Sequence, residues 1–534
     1  MTMTPKTGLR HGAARGLGLA LAASLGLGAA AHAESVLRVA MTAGDIPITI
    51  GQPDQGFEGY RFVGYNLYDT LVAWDLSQGE TEAQIRPGLA TNWYVDPEDN
   101  QRWIFELREG VTFHDGCEFG ADNVVWNYER YTLESHPYFN AQQFGFIRNR
   151  TNNIESIEKV DDYTVAINTI TPDSLFPWQT SYIFMISDCK LEELEGDYAA
   201  YALDPSGTGP YKFDSLVPRE RLELVKNEDY WDEDRIPNHD RLVLIPMPEA
   251  TTRAAALMSG QVDFVEAPSP DTIPMLEGNG MQIVTNPYPH NWGYQLNFVD
   301  GPFADIRVRR AANHAMNRED MVAMLGGVAV EGYAAFPPSA TYYGNPPIYE
   351  YDPEKARALL EEAGCLPCEI TLAISTSGSG QMQPLPMNEL VKSQLEEAGF
   401  VVELDVMDWN QLLDVGRGGR EKFPEVDGIN ISRAIQDPFS ALFRFMLTSQ
   451  QAPAGSNWGH YSNPEADALV ETIYATFDPE ARDSLIIEAH EMFVEEALFL
   501  FVTHDLNPRA LAPNVKGFVQ AQSWFQDLTP IVVE

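Results

Sequence analysis

The chain has 534 residues, of which 35 are Lys or Arg and 78 are Asp or Glu, for a formal net charge of −43 at pH 7. An acidic excess of that size disfavours nucleic acid and anionic lipid as partners and fits a solvated surface in a salty medium. Four cysteines are too sparse for a disulfide-built scaffold.

Residues 1–33 carry Lys6, Arg10 and Arg15, then LGLALAASLGLGAA, then Ala-His-Ala, which is the layout of a secretory leader cut after Ala33. The apolar run is too short for a good membrane span, and no later stretch is long enough for one. Taking 33 from 534 leaves 501 residues, and the three cations lost with the leader move the net charge from −43 to −46. A chain of that length predicts two or three domains.

VLRVAM (36–41) reads as a strand, followed by a Gly/Pro-rich loop to residue 59. GYNLYDTLVAWD (64–75) spaces its apolar residues at helical intervals, whereas RWIFELREGVTF (102–113) alternates like two paired strands about Glu109-Gly110. The next residues bring His114, Asp115 and Cys117 close together. Neighbours on an extended strand face opposite ways, so they converge poorly on a metal or a proton; Asp115-Gly116 reads as a turn before a helix opened by Ala121-Asp122. DYTVAINTI (162–170) is a further strand, and GTGPYKF (207–213) a Gly/Pro junction.

The clearest unit begins at YDPEKARALLEEAG (351–364), where Asp352 caps, Pro353 suits the first turn and Gly364 ends the helix. EITLAIS (369–375), the helix LPMNELVKSQLEEAG (385–399) and FVVELDVM (400–407) then form a strand, crossover helix and parallel strand.

No catalytic or metal motif emerges. Eight histidines follow the leader without a shared helical spacing, and His490-Glu491 lacks the second zinc-protease His, since Val494 stands there. There is no phosphate-binding Gly-Lys-Ser/Thr, and STSGSG (375–380) lacks nucleophile-elbow spacing. The sequence implies no cofactor and no metal. Whether Cys365 bridges Cys368, or Cys117 bridges Cys189, is left open. An exported hydrolase using an acidic pair is the alternative class, weak because 78 acidic residues make chance pairs plentiful.

IRPGLATNW (85–93), WIFELREGVTFHDGCEFGADNVVW (103–126), GTGPYKF, NEDYW (227–231), LMSGQVDFV (257–265), VRRAANHAMNREDMV (308–322), YDPEKARALLEEAG and YSNPEADALV (461–470) occur in the order seen in family 5 solute-binding proteins, the peptide, dipeptide and nickel type receptors of ABC importers. The resemblance implies an α/β, two-lobed type II periplasmic binding protein with an extra small inserted domain. On that pattern lobe I combines 34–59, 201–293 and 500–534, the inserted domain is 60–200, lobe II is 294–499, and crossings near 293 and 499 form a hinge. It also implies a periplasmic, monomeric, non-enzymatic receptor that delivers a small-molecule or peptide-like ligand to permease subunits with their ATPases. A nickel-chelate or chemosensory receptor on the same fold is the alternative, although no His cluster favours nickel or haem.

By the same resemblance, peptide receptors hold the ligand amino group with an Asp three residues before an acidic-Pro pair. Here the pair is Asp437-Pro438 and the clamp position is Ala434. Dipeptide receptors hold the carboxylate with an Arg before the helix at 385–399, where this chain reads SGSGQMQPLPMN without a cation. A simple dipeptide held at both ends is therefore not expected. Trp409, Arg417, Asn430, Ser432 and Arg433, together with Phe57, Glu58, Tyr60 and Arg61, match segments that line the cleft in relatives. If Arg433 faces the cleft, it suits an anionic group on the ligand.

Overall fold

The structure is a computed structural model that describes residues 34–288, 290–378 and 380–534; the leader expected at 1–33 lies outside them. Among the described residues no helix is long and apolar enough to cross a membrane.

Three larger sheets organise the chain. The first has seven strands, in the order Gln282–Val284, Arg509–Leu511, Phe264–Glu266, Val36–Met41, Arg241–Pro246, Arg221–Lys226 and Tyr211–Val217. Val36–Met41 lies parallel to a strand on each side, with Val39 opposite both Leu244 and Phe264. Leu37, Val39, Ala40 and Met41 are all buried, as a strand covered on both faces requires.

The second sheet uses β1 (His290–Leu296), β2 (Cys368–Ser375), β3 (Phe400–Met407), β4 (Gly428–Ala434) and β5 (Phe499–Asp505), with Ala329–Glu331 at one edge. Its order is Ala329–Glu331, β5, β1, β4, β2, β3. β2 and β3 run parallel, from Cys368 opposite Phe400 to Ser375 opposite Met407, and the helix α1 (Pro384–Ala398) joins them. The caps act as expected: the Asp352 carboxylate accepts from the Lys355 amide at 2.8 Å, and Gly364 and Gly399 end their helices at φ 71° and 112°. A third, antiparallel sheet of Ala90–Asp96, Asp99–Leu107, Thr164–Thr169 and Ile154–Asp161 falls within 60–200.

Three expectations change. The chain passes from the first sheet to the second between Val284 and His290 and returns between Asp505 and Arg509. β5 pairs with β1, Asn291 opposite His504 and Gln295 opposite Phe499, so the return crossing lies after 505 and not near 499. The stretch 64–75 is no amphipathic helix: a π-turn at Tyr60–Gly64 and a short helix at Tyr65–Leu67 lead into the strand Val72–Trp74. Every residue from 61 to 74 is buried, so its apolar spacing marks no single face. Finally, Asp99–Leu107 pairs with strands on both sides, and Thr112 makes only an isolated bridge to Glu118.

That bridge brackets His114. Its Nε2 lies 2.9 Å from the Gly209 carbonyl and its Nδ1 accepts from the Gly207 amide at 3.3 Å, while Ser187 Oγ donates to Asp115 at 2.6 Å. Burial lowers the His114 pKa to about 4, so a neutral ring serves as a structural tie in this turn. Cys117 is bridged to Cys189 and Cys365 to Cys368, leaving no free cysteine among the described residues.

The two bridges close loops of very different length, with sequence separations of 72 and 3. On loop-closure entropy the first is worth about 4 kcal/mol and the second about 2 kcal/mol. Denaturant unfolding of the Cys117→Ser/Cys189→Ser and Cys365→Ser/Cys368→Ser double variants should show the larger loss in the first; equal losses would contradict this.

Candidate functional site

The carboxyl ends of parallel strands in both sheets face one another, the place where open α/β sheets commonly hold ligands. Thr42 follows Val36–Met41, Glu266 ends Phe264–Glu266, and Thr376 follows β2. Between them lies a cavity of about 160 Å³. One wall carries Arg61, Arg253, Glu266, Arg509 and Trp524, and the other is formed by residues 376–378 and 380–384, which lead into α1. Tyr288, Asp505 and Asn507, which lie on or at the ends of the two crossings, also line it.

Its centre of charge is Glu266, fully buried, whose Oε1 lies 2.6 Å from Arg61 Nη2 and 3.1 Å from Arg509 Nη2, while Oε2 accepts from the Thr42 amide at 3.2 Å. Arg253 spends its guanidinium on the carbonyls of Met247, Pro248, Glu266 and Ala267. Arg61 also reaches Glu58 at 3.5 Å, and its Nη1 donates to Tyr288 Oη at 3.4 Å. Burial, with the Glu266 charge adding to it, pushes the Glu58 carboxyl up to about 8, so Glu58 is mostly protonated at neutral pH. Burial likewise raises Asp505 to about 6. Burial opposes the charge on Arg61, yet Glu266, Tyr288 and Glu58 outweigh it and raise its pKa.

Trp524 closes the aromatic side. Its ring centroid is 4.7 Å from Phe57, 5.3 Å from Tyr288 and 5.0 Å from His290, and its amide donates to Gln436 Oε1 of the second-sheet side at 2.9 Å. The loop can pass beneath it because residue 380 is glycine: at φ 70°, a Cβ there would fall 2.7 Å from His290 Nε2 and Ser432 Oγ and 2.8 Å from Trp524.

The residues singled out from sequence scatter around this cavity. Arg61 lines it, and Glu58 is buried next to Arg61. Phe57 backs Trp524, whereas Tyr60 packs among Tyr182, Phe184 and Phe525. Trp409 supports the loop from behind, since a Cβ on Gly378 would meet its ring at 2.4 Å. Ser432 lies under Gly380, while Asn430 donates to the Gly293 carbonyl and accepts from Asn388 Nδ2, tying β4 to β1 and α1. Arg417 is exposed and pairs with Asp414 at 3.2 Å, away from the cavity.

Arg433 points to the other face of the second sheet. Its Cζ lies 3.0 Å from the Phe499 ring centroid and 5.2 Å from that of Phe445, and its three guanidinium nitrogens have no hydrogen-bond partner among the described residues. Burial, then the nearby Arg444 charge, holds its pKa well below the usual arginine range. Ala434, one residue on, packs with Tyr288 and Trp524. Sequence reasoning missed Glu266, Tyr288, Arg509 and Trp524, which come from four separated stretches. The available signal was a charge inside two otherwise apolar strand segments, FVE and RAL.

The family described as bacterial extracellular solute-binding proteins, family 5 Middle, matches residues 84–441. Heme-binding protein A of Haemophilus influenzae is 28% identical over 485 residues, covering 86% of each chain. The dipeptide-binding protein of Escherichia coli is 26% identical over 478 residues (85% of this chain, 86% of that one), and the glutathione-binding protein of Salmonella typhimurium is 27% identical over 492 residues (90% and 92%). Among solved structures, the periplasmic binding protein DppA of Helicobacter pylori, in complex with the peptide STSA, superposes with a TM-score of 0.81 at 25% identity, covering 94% of this chain and 99% of that one. The family match spans more than half the chain, and the two sheets facing a shared cavity are the type II binding-protein arrangement: this protein belongs to the family 5 extracellular solute-binding proteins, the non-enzymatic receptors of ABC importers.

Proposed function

We propose that the protein captures a polar organic solute, peptide-like compounds included, in the cavity between the two sheets and presents it to the permease and ATPase subunits of its importer. The leader would be cut after Ala33, and the receptor would act outside the cytoplasm as a monomer. The observation that carries this reading is the composition of the cavity wall: both sheets and both crossings contribute to it. A solute that touches all of them gains its extra contacts only when the lobes are together, which is the condition for a ligand to favour the closed state.

Three relatives of nearly equal identity are named for haem, a dipeptide and glutathione, so similarity alone selects no ligand. The cavity argues against a dipeptide gripped at both ends. The position expected to hold an ammonium is Ala434, packed against Tyr288 and Trp524, and the described loop residues from 376 to 384 carry no Arg or Lys.

Calorimetric titration with a set of unmodified dipeptides should show no tight, sequence-tolerant binding; such binding would remove this part of the reading. A second expectation concerns Glu58. Its folded pKa of about 8 lies above the ordinary glutamate value of 4.5, so the stability it contributes is present below about pH 4.5 and is lost as pH rises towards 8. Glu58→Gln removes that loss. The melting temperature of the variant relative to wild type should therefore climb steadily between pH 5 and 8, and a difference that stays flat or falls would show that Glu58 is ionised in the fold.

A further inference from the structure

Resting on that reading, we infer that the solute is a small carboxylate of about six to ten non-hydrogen atoms, its carboxylate taken by Arg61 and Arg509 across from Gln381 and the loop that opens α1.

The first support is an excess of donors. Arg61 is 4% exposed, Arg509 1% and Gln381 1%, and all three line the cavity. Arg61 Nε, Arg509 Nε and Gln381 Nε2 have no hydrogen-bond partner among the described residues, while Arg509 Nη2 lies 3.1 Å from Glu266 Oε1. Arg509 Nη1 is already committed to Asn507 and the Pro508 carbonyl, and Gln381 Oε1 accepts from Trp292 Nε1 at 3.0 Å. Among the described side chains of the lining, the one acceptor atom in the same condition is Glu266 Oε1, which already has two arginines in ion-pair range. Buried donors without acceptors are costly, and a carboxylate offers about four acceptor positions to a guanidinium fork.

The second support is the distribution of charge. The lining carries three cations, Arg61, Arg253 and Arg509, and three acids, Glu249, Glu266 and Asp505. Glu266 is held by its two arginines, Asp505 lies within electrostatic reach of Arg509 and Arg61, and Glu249 is exposed. The described residues of the opposite loop from Thr376 to Pro384 bear no charge, and the first turn of α1 has no acidic residue and no side-chain cap. Pro384 and Pro386 remove two amide donors there, so this helix end contributes its dipole and few N–H groups. The arginines remain the main anchor.

The third support is size. About 160 Å³ is close to the cavity volume known to accept a benzene-sized guest. That is room for a short organic acid with Trp524 and Tyr288 against its apolar part, and too little for glutathione, haem or an oligopeptide.

The test uses the mature protein and a set of small carboxylates, each paired with its own primary amide, N-acetylalanine with N-acetylalaninamide among them, followed by calorimetry and by tryptophan fluorescence. Carboxylates should bind at least about tenfold tighter than their amides. Gln381→Glu, which puts a like charge in the wall while keeping an acceptor for Trp292, should weaken carboxylates at least about tenfold in protein that circular dichroism shows to be folded; Arg509→Lys, which keeps the charge beside Glu266 and loses the guanidinium fork, gives a second variant. Amides binding as well as acids would overturn the carboxylate assignment and leave the receptor reading intact. Glutathione or oligopeptides binding more tightly than the small acids would overturn the size assignment alone. Failure of every compound, with no small molecule retained in native mass spectra of the purified protein, would overturn this inference and the receptor reading together.

Discussion

The buried pairing of Glu266 with Arg61 and Arg509 is the constraint from which the site follows. Glu266 ends a strand of the first sheet, Arg61 sits in the buried π-turn after the N-terminal loop, and Arg509 lies on the segment returning from the second sheet. Three distant parts of the chain are thereby fixed at one point. Such a cluster adds little net stability over an apolar substitute, but breaking it by removing one member leaves a buried charge uncompensated, at a cost of about 3–5 kcal/mol. It specifies a geometry more than it strengthens the fold, and the geometry it specifies is a polar wall beside both chain crossings.

From that position the cluster ties the cavity to the two chain crossings. Tyr288, Asp505, Asn507 and Arg509 lie on or at the ends of the crossings and also line the cavity. A group bound there bears on the segments about which the lobes would move, so affinity and closure draw on the same contacts. Trp524 extends the link, packed on Tyr288 of the first crossing and bonded through its amide to Gln436, just beyond β4.

The parallel unit at 351–407 was legible because its cues agree: a capped helix, a crossover helix ended by Gly399 and two apolar strands of equal length. The stretch 64–75 was not, because complete burial removes the difference between a helical and an extended apolar pattern. The return crossing lies later than the family pattern implies, for a related reason. All seven residues of β5 are buried, and nothing in such a run says which sheet it joins.

Legibility of the site followed the same divide. The local segment 57–61 brought Arg61 into view, while its partners at 266 and 509 could be found only by their contact with it. On β4 the period of two places Ser432 and Arg433 on opposite faces, so only one of them could share the cavity side with Ala434; burial against Phe499 assigns Arg433 to the other. The most direct measurement is a crystal structure of the protein purified from its native host with its retained solute. The account predicts that solute between Arg61, Arg509, Tyr288 and Trp524 on one side and the 376–384 loop on the other; a solute seated instead on the far face of the second sheet, against Arg433 and Phe499, would contradict it.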